Sequence, residues 1–466
     1  MSWYYRYETK GIQNWILSSN KLRDLAGGSA LVEELTQAAR ERALALKDTT
    51  VVQATSGSMT AIFSTTENLE RFVADWPMMV SYLAPGLQMI HAWVEEKEGL
   101  PALFQRLAAR RNEVYLDEME LNPWVLRSGR SGLPAVPAPK KNAAALERRG
   151  TLDRVVLAKE WARSRVFKSE NIVTGGRLWQ DFEDRLEQWQ GPVAIVHADG
   201  SGIGEQLMKL GNKSGELQAF SEALMTACRH AIARAVDTLP VENGLILARP
   251  IVAAGDDLTY IVPAAHARRF AETWLIEFEA KTDELKEQLG GSKLHGGAGI
   301  AIVGRSYPFS QAYELSERLC KEAKTKLKTR KQKSSVLAFR RLTTSLDDAK
   351  LEGPAAWLVD SQHGTQPLVD LVSAVRDLPR GTLRTWLDHF TRPEQQDVHA
   401  RQLWSRAQEV ARQENWERFS RALAAVGADP ESGGFRKETT VAIPLEENKA
   451  TPLVDALTLR FIEKGN

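Results

Sequence analysis

Pro250-Ile251-Val252-Ala253-Ala254-Gly255-Asp256-Asp257-Leu258-Thr259-Tyr260-Ile261-Val262 is the stretch around which this chain is organised. The apolar runs on either side read as two strands, and Ala-Gly-Asp-Asp between them reads as the tight turn that joins them. Two adjacent carboxylates at a hairpin tip repel each other, and a divalent cation relieves that repulsion. Asp256 and Asp257 are therefore candidate ligands for Mg²⁺ or Mn²⁺, with Gly255 shaping the turn. A plain Gly-Asp turn is the alternative, since Asp favours turns for its own reasons. The flanking chain has to separate the two.

Upstream, Val193-Ala194-Ile195-Val196-His197-Ala198 is a β-run that ends in Asp199-Gly200-Ser201-Gly202-Ile203-Gly204, and a long Ala- and Leu-rich helix follows to about Val236. A strand from Leu245 to Ala253 enters the acidic turn. Leu258 to Val262 leaves it, and a helix from Ala264 to about Leu289 comes next. Gly296 to Val303 is strand-like, and Pro308 to Lys328 is helical. The element order β-α-β-β-α-β is ferredoxin-like.

The same order occurs earlier. Trp3 to Glu8 is a strand, Leu31, Val32, Leu35 and Ala38 mark a helix, and Val51–Gln53 and Met59–Phe63 form a strand pair. A helix from about Leu69 to Leu83 and a strand near Gln88 to Val94 complete the unit. Glu8-Thr9-Lys10-Gly11-Ile12 parallels Asp199-Gly200-Ser201-Gly202-Ile203, and Gly57-Ser58 stands where Asp256-Asp257 stands. The expected fold is α+β: a degenerate first unit over residues 1–100, a helical spacer over 101–190, a second unit over 191–345 and a C-terminal helical region over 346–466. In that last region Leu383, Trp386, Leu387 and Phe390, then Leu403, Trp404 and Ala407, then Trp416, Phe419 and Leu423, read as core-facing helical stripes.

Bulk properties agree with a multi-unit globular chain. Its 466 residues are 43% hydrophobic and 26% charged, with a net charge of +1, which argues against binding nucleic acid by charge alone. No signal peptide and no membrane-length apolar run stand out, and Cys228 and Cys320 are too few for a four-cysteine zinc site. Reduced, buried thiols and a cytoplasmic location are expected.

A sheet whose first strand ends in Asp199 and whose neighbouring hairpin carries Asp256-Asp257 is similar to the palm of polymerases and nucleotidyl cyclases. Such acids hold two metal ions about 3.5–4 Å apart, one activating a ribose 3′-hydroxyl and one stabilising the α-phosphate and leaving pyrophosphate. Gly200, Ser201, Gly202, Ile203 and Gly204, at a helix start, can offer backbone N–H groups to a triphosphate, although glycines suit any tight turn. Lys324, with Lys321 one turn before it, is the candidate for the β- and γ-phosphates; a solvated basic helix end is the alternative. His197 falls on the face of Asp199, as a packed side chain or as a base.

Glu8 to Ile16, with Lys21-Leu22-Arg23-Asp24-Leu25-Ala26-Gly27-Gly28-Ser29, resembles the opening of the first palm in the large subunit of type III CRISPR effector complexes. Ala254-Gly255-Asp256-Asp257 resembles that family's Gly-Gly-Asp-Asp motif, Ala323-Lys324 its phosphate-binding helix, and Thr451 to Leu457 its C-terminal segment. The resemblance implies a palm-type nucleotidyltransferase that makes cyclic oligoadenylate from ATP as an antiviral second messenger. Two forms of it stay open: a cyclase switched on by target RNA, with guide RNA and small CRISPR-type subunits as partners, and a standalone defence enzyme. Only two residues precede Trp3, so a form without the N-terminal HD nuclease is expected. The family's middle-region zinc cysteines are missing, and Ala254 replaces the first Gly of the motif without removing a ligand. A non-catalytic scaffold or RNA-binding subunit of such a complex is the competing expectation.

Overall fold

The computed structural model describes the chain apart from residues 20, 56, 114–123, 138–150, 167–176, 179–190, 211–213, 243–244, 255, 343–354, 380, 384, 387–395, 429–440, 445–450 and 463–466. The first unit runs β1 (Trp3–Lys10), α1 (Ile12–Leu17), α2 (Leu22–Leu44), β2 (Thr49–Thr55), β3 (Ser58–Phe63), α3 (Thr66–Leu83) and β4 (Gln88–Glu95). Its sheet order, β2-β3-β1-β4, is the ferredoxin-like arrangement. Among the described residues of the spacer, α4 (Gly99–Glu113) lies against β4 and β1, and α5 (Arg154–Val166) against α2.

The second unit begins beyond a two-residue strand, β5 (Arg177–Leu178). It comprises β6 (Val193–Ser201), α6 (Ile203–Leu210), α7 (Ser214–Val236), the short strands β7 (Val241–Glu242) and β8 (Leu245–Ile246), β9 (Arg249–Ala254), β10 (Asp257–Pro263), α8 (Ala264–Glu284) and β11 (His295–Val303). Then come α9 (Phe309–Thr329), β12 (Ser335–Arg341), β13 (Ala355–Val359), α10 (Gln366–Arg376), α11 (Gln396–Val410), α12 (Gln413–Ala425), β14 (Ala442–Pro444) and α13 (Thr451–Ile462). Within the seven-stranded sheet β14-β13-β12-β11-β6-β10-β9, the four strands β11-β6-β10-β9 repeat the order of the first sheet. Both ferredoxin-like units read from the sequence are therefore present.

The segment beyond residue 345 differs from its expected helical character, because β13 and β14 extend the second sheet. Ala355-Ala356-Trp357-Leu358-Val359 is a short apolar run buried on both faces, and such a run has no period that separates strand from helix. The Trp stripes are core as expected: Trp386 stacks on Trp404 with ring centroids 4.9 Å apart, and Trp416 and Phe419 close the cluster. Leu387 and Phe390 lie outside the described residues.

The two units pack reciprocally. Helix α2 of the first lies against β9 of the second, and the equivalent helix α7 lies against β2. Alternate residues of β6 and β10, Ile195 and Ile261, join Tyr5, Tyr7 and Trp76 of the first unit in one hydrophobic core. The opposite face of the same strands, with Val196, Ala198 and Tyr260, packs under α7 and α8. Cys228 and Cys320 are buried and unpaired. No helix among the described residues is long and apolar enough to cross a membrane.

Helix α9 approaches β11 at a bare backbone. A Cβ placed at Gly299 would lie 1.9 Å from the Ser316 carbonyl oxygen and 2.6 Å from the Cys320 nitrogen. Gly299→Ala should therefore lower the melting temperature clearly, since overpacking costs about 1–3 kcal/mol. Gly129→Ala, where nothing lies within 4 Å, should leave it unchanged. Differential scanning fluorimetry of the pair checks this.

Candidate active site

The acids meet because of strand register. Asp257, the first residue of β10, pairs with Asp199 near the end of β6, and directly opposed residues share a sheet face. Asp256 sits in the turn just before, and Gly255 lies outside the described residues. Gly200 makes room for this turn: a Cβ there would stand 3.3 Å from the Asp256 Cβ, 3.4 Å from its Oδ2 and 2.5 Å from the Ile203 Cδ1. Gly202 adopts φ 80°, left-handed backbone that favours glycine, immediately before α6 starts at Ile203. No atom lies within 4 Å of a Cβ built at Gly202 or Gly204, so the loop offers an open backbone surface.

Crowding of carboxyls governs the electrostatics. Burial, the Asp199 charge and a hydrogen bond shared with the Asp199 carboxyl push Asp256 up to about 7. Asp257 is also pushed up to about 7, by burial first and then by Asp199, while a hydrogen bond from Gln13 acts the other way. The Asp257 side chain is 31% exposed, yet its Oδ1 is buried and has no hydrogen-bond partner; the His197 Nδ1 stands 3.5 Å from it. His197 is itself buried, hydrogen-bonded to the Thr259 hydroxyl at 3.1 Å and packed edge-on against Tyr313. Burial pulls its pKa down and keeps it neutral at pH 7, the state of a packed histidine.

Lys324 reaches this edge from α9. Its Nζ donates to the Asp199 Oδ2 and, at 2.7 Å, to the Gly200 carbonyl oxygen. Its stem crosses the bare backbone of Gly297, where a Cβ would lie 2.4 Å from the Lys324 Cγ. The lysine is thus brought to the acids, while Lys321, one turn earlier, is exposed. Ser201, at the end of β6, is half-buried beside the loop.

Two contributors escaped the sequence. Gln13, on α1 of the first unit, donates through Nε2 to the Asp257 Oδ2 at 3.4 Å. Glu317, two turns before Lys324 on α9, faces Asp257 and His197 and raises both. Helical spacing from Lys324 pointed to Glu317, but nothing local in the sequence links Gln13 to an acid more than two hundred residues away.

The same edge of the first unit is chemically different. Glu8 pairs with Ser58 just as Asp199 pairs with Asp257, which matches the alignment read from the sequence. Burial pushes Glu8 up, but Arg6 and Arg111 more than offset it and hold the carboxylate below its ordinary range. Arg6 Nε lies 2.9 Å from it. Gly57 takes φ 76°, and a Cβ there would fall 2.2 Å from the Thr9 hydroxyl. Guanidinium groups of the protein thus pair with the acid at the matching place of this edge.

Residues 192–335 match the family model described as Cas10/Cmr2, second palm domain. That segment, about a third of the chain, is similar to a Cas10/Cmr2 second palm. The large-subunit resemblance seen in the sequence is borne out in this segment, and the first unit is a palm by its matching topology. No curated protein sequence matches the chain. Among solved structures, the fold is similar to a Csm1–Csm4 cassette in complex with pppApApA, at TM-score 0.56 and 12% identity over 99% of this chain and 69% of that one. It is similar to a cassette in complex with cA4, at 0.53 and 11% over 99% and 70%. It also resembles Csm1 in T.onnurineus, at 0.54 and 13% over 88% and 64%. The chain spans between 56% and 70% of the length of the chains it matches. At these identities the likeness establishes the fold.

The second palm's donor set is oxygen only: three carboxylates and the Gly200 carbonyl oxygen. Among the described residues no three His, Cys, Asp or Glu side chains stand, as they are, in an arrangement that could hold a metal ion. Even so, the orphaned Oδ1 of Asp257 and the all-oxygen chemistry of the crowded carboxyls suit a hard divalent cation, which would offset their charge. Raised carboxyl pKa values make a further prediction. Asp256 and Asp257 hold protons in the fold that they release when unfolded, where 3.8 is the ordinary value. Metal-free stability should therefore fall as pH rises from about 4 to about 7 and level off above that. Asp256→Asn and Asp257→Asn should each flatten the decline, as read from melting temperatures across pH in the presence of a chelator.

Proposed function

We propose that the second palm is a metal-dependent nucleotidyltransferase that builds cyclic oligonucleotides, with ATP the substrate and cyclic oligoadenylate the product. The observation that carries this is the convergence of Asp199, Asp256 and Asp257 on one sheet edge, with two of the carboxyls raised to about 7. That much carboxylate in contact is costly without a cation. The adenine assignment rests on the pppApApA and cA4 bound in the similar Csm1–Csm4 cassettes.

In this scheme the 3′-oxygen of one nucleotide bonds to the α-phosphorus of the next, pyrophosphate departs, and the hydroxyl proton passes to solvent. Asp199, Asp256 and Asp257 would hold Mg²⁺ or Mn²⁺, which when bound lowers the hydroxyl pKa and stabilises charge on the phosphates. Lys324 leaves Asp199 for the triphosphate, and the 200–204 loop presents its N–H groups to the phosphates. Ring closure repeats the same attack within the oligomer. The first palm holds the acceptor nucleotide. Small CRISPR-type subunits and guide RNA are the assembly partners, with target RNA the activating signal.

Incubating the chain with ATP and Mg²⁺ or Mn²⁺, alone and with such subunits and target RNA, should release pyrophosphate and yield cyclic products by mass spectrometry. Asp256→Ala and Asp257→Ala should each reduce the rate by about a hundredfold or more. Ser58→Ala, in the first palm, should leave chemistry nearly intact. If both Asp variants kept full biological activity while still co-purifying with guide RNA, the palms would be scaffolds.

A further inference from the structure

The first palm contributes a side chain to the acid set of the second. Gln13 lies in the first turn of α1 and donates its amide Nε2 to the Asp257 Oδ2 at 3.4 Å. The other oxygen of that carboxylate, Oδ1, is buried without a hydrogen-bond partner, the neutral His197 Nδ1 standing 3.5 Å from it. An aspartate's terminal torsion is broad and nearly two-fold, so nothing intrinsic decides which oxygen faces a ligand. A donor fixed on one oxygen removes that freedom and aims the other.

Helix α1 is built to hold Gln13 still. Gly11 caps it in left-handed backbone at φ 63°, and its carbonyl oxygen accepts from the Trp15 N–H at 2.9 Å. The Trp15 indole donates to the Pro85 carbonyl oxygen at 2.9 Å. Buried Lys159 of the spacer clamps the far end, donating to the carbonyl oxygens of Trp15 at 2.5 Å and Ile16 at 3.0 Å and to the Ser18 hydroxyl at 2.9 Å. A six-residue helix has little stability of its own, so these outside contacts are what set its place.

We infer that Gln13 is a positioning residue for Asp257, supplied in cis by the first palm, which orients that carboxylate toward the divalent cation. This rests on the metal-dependent reading of the second palm. It gives the first palm a part in building the metal site beyond holding a nucleotide.

Mn²⁺ binding to the full-length chain, followed by electron paramagnetic resonance without nucleotide, tests it. Gln13→Ala should weaken Mn²⁺ affinity by about tenfold. Gln13→Asn, which keeps the amide but shortens its reach, should do the same, with melting temperatures of both unchanged. In an Asp257→Asn background the Gln13→Ala change should have no further effect. Wild-type affinity in both Gln13 variants would overturn the inference and leave the metal reading standing. So would an equal loss in the Asp257→Asn background. Absence of Mn²⁺ binding by the unaltered chain would overturn the metal reading, and this inference with it.

Discussion

Electrostatic repulsion at one sheet edge is the constraint around which the second palm is built. Register places Asp257 opposite Asp199, and the turn swings Asp256 over Gly200, where burial and the Asp199 charge raise its carboxyl pKa. Each surrounding feature then has a role in managing negative charge. Lys324 crosses the bare backbone of Gly297 to reach Asp199, Gln13 takes one oxygen of Asp257, and His197 stays neutral beside it. Arranged this way, the edge holds its acids together while one of their oxygens remains unsatisfied.

The first palm solves the same problem in the opposite way. It has Glu8 in the place of Asp199 and pairs it with Arg6 and Arg111, while Gly57 and Ser58 occupy the places of the aspartates. Duplicated topology with unequal charge thus yields one edge crowded with carboxyls and one whose acid is paired with arginines, and reciprocal packing of α2 on β9 and α7 on β2 ties the two together. The shared core through Ile195, Ile261 and Tyr7 makes that arrangement structural.

Much of this was legible in the residues. Alternating apolar runs gave both palms, and the internal alignment of Glu8 with Asp199 and of Gly57-Ser58 with Asp256-Asp257 predicted a register that the strand pairing reproduces. Less legible was the segment after residue 345. There β13 and β14 join the sheet, since short runs buried on both faces carry no period. Glu317 was within reach of helical spacing from Lys324, whereas Gln13 carried no local signal.

What the sequence by itself determined is therefore local and periodic: the two palm units, the acids at a strand end and a hairpin tip, and the basic helix behind them. These depend on neighbours a few residues apart, where side-chain alternation and turn chemistry act directly. Only the tertiary structure decided which groups meet across the chain. Lys324 rests on Asp199 because Gly297 and Gly299 let α9 lie close on β11, and Gln13 reaches Asp257 because the two palms pack through one core. Such contacts come from the packing of whole elements, and no stretch of sequence encodes them alone.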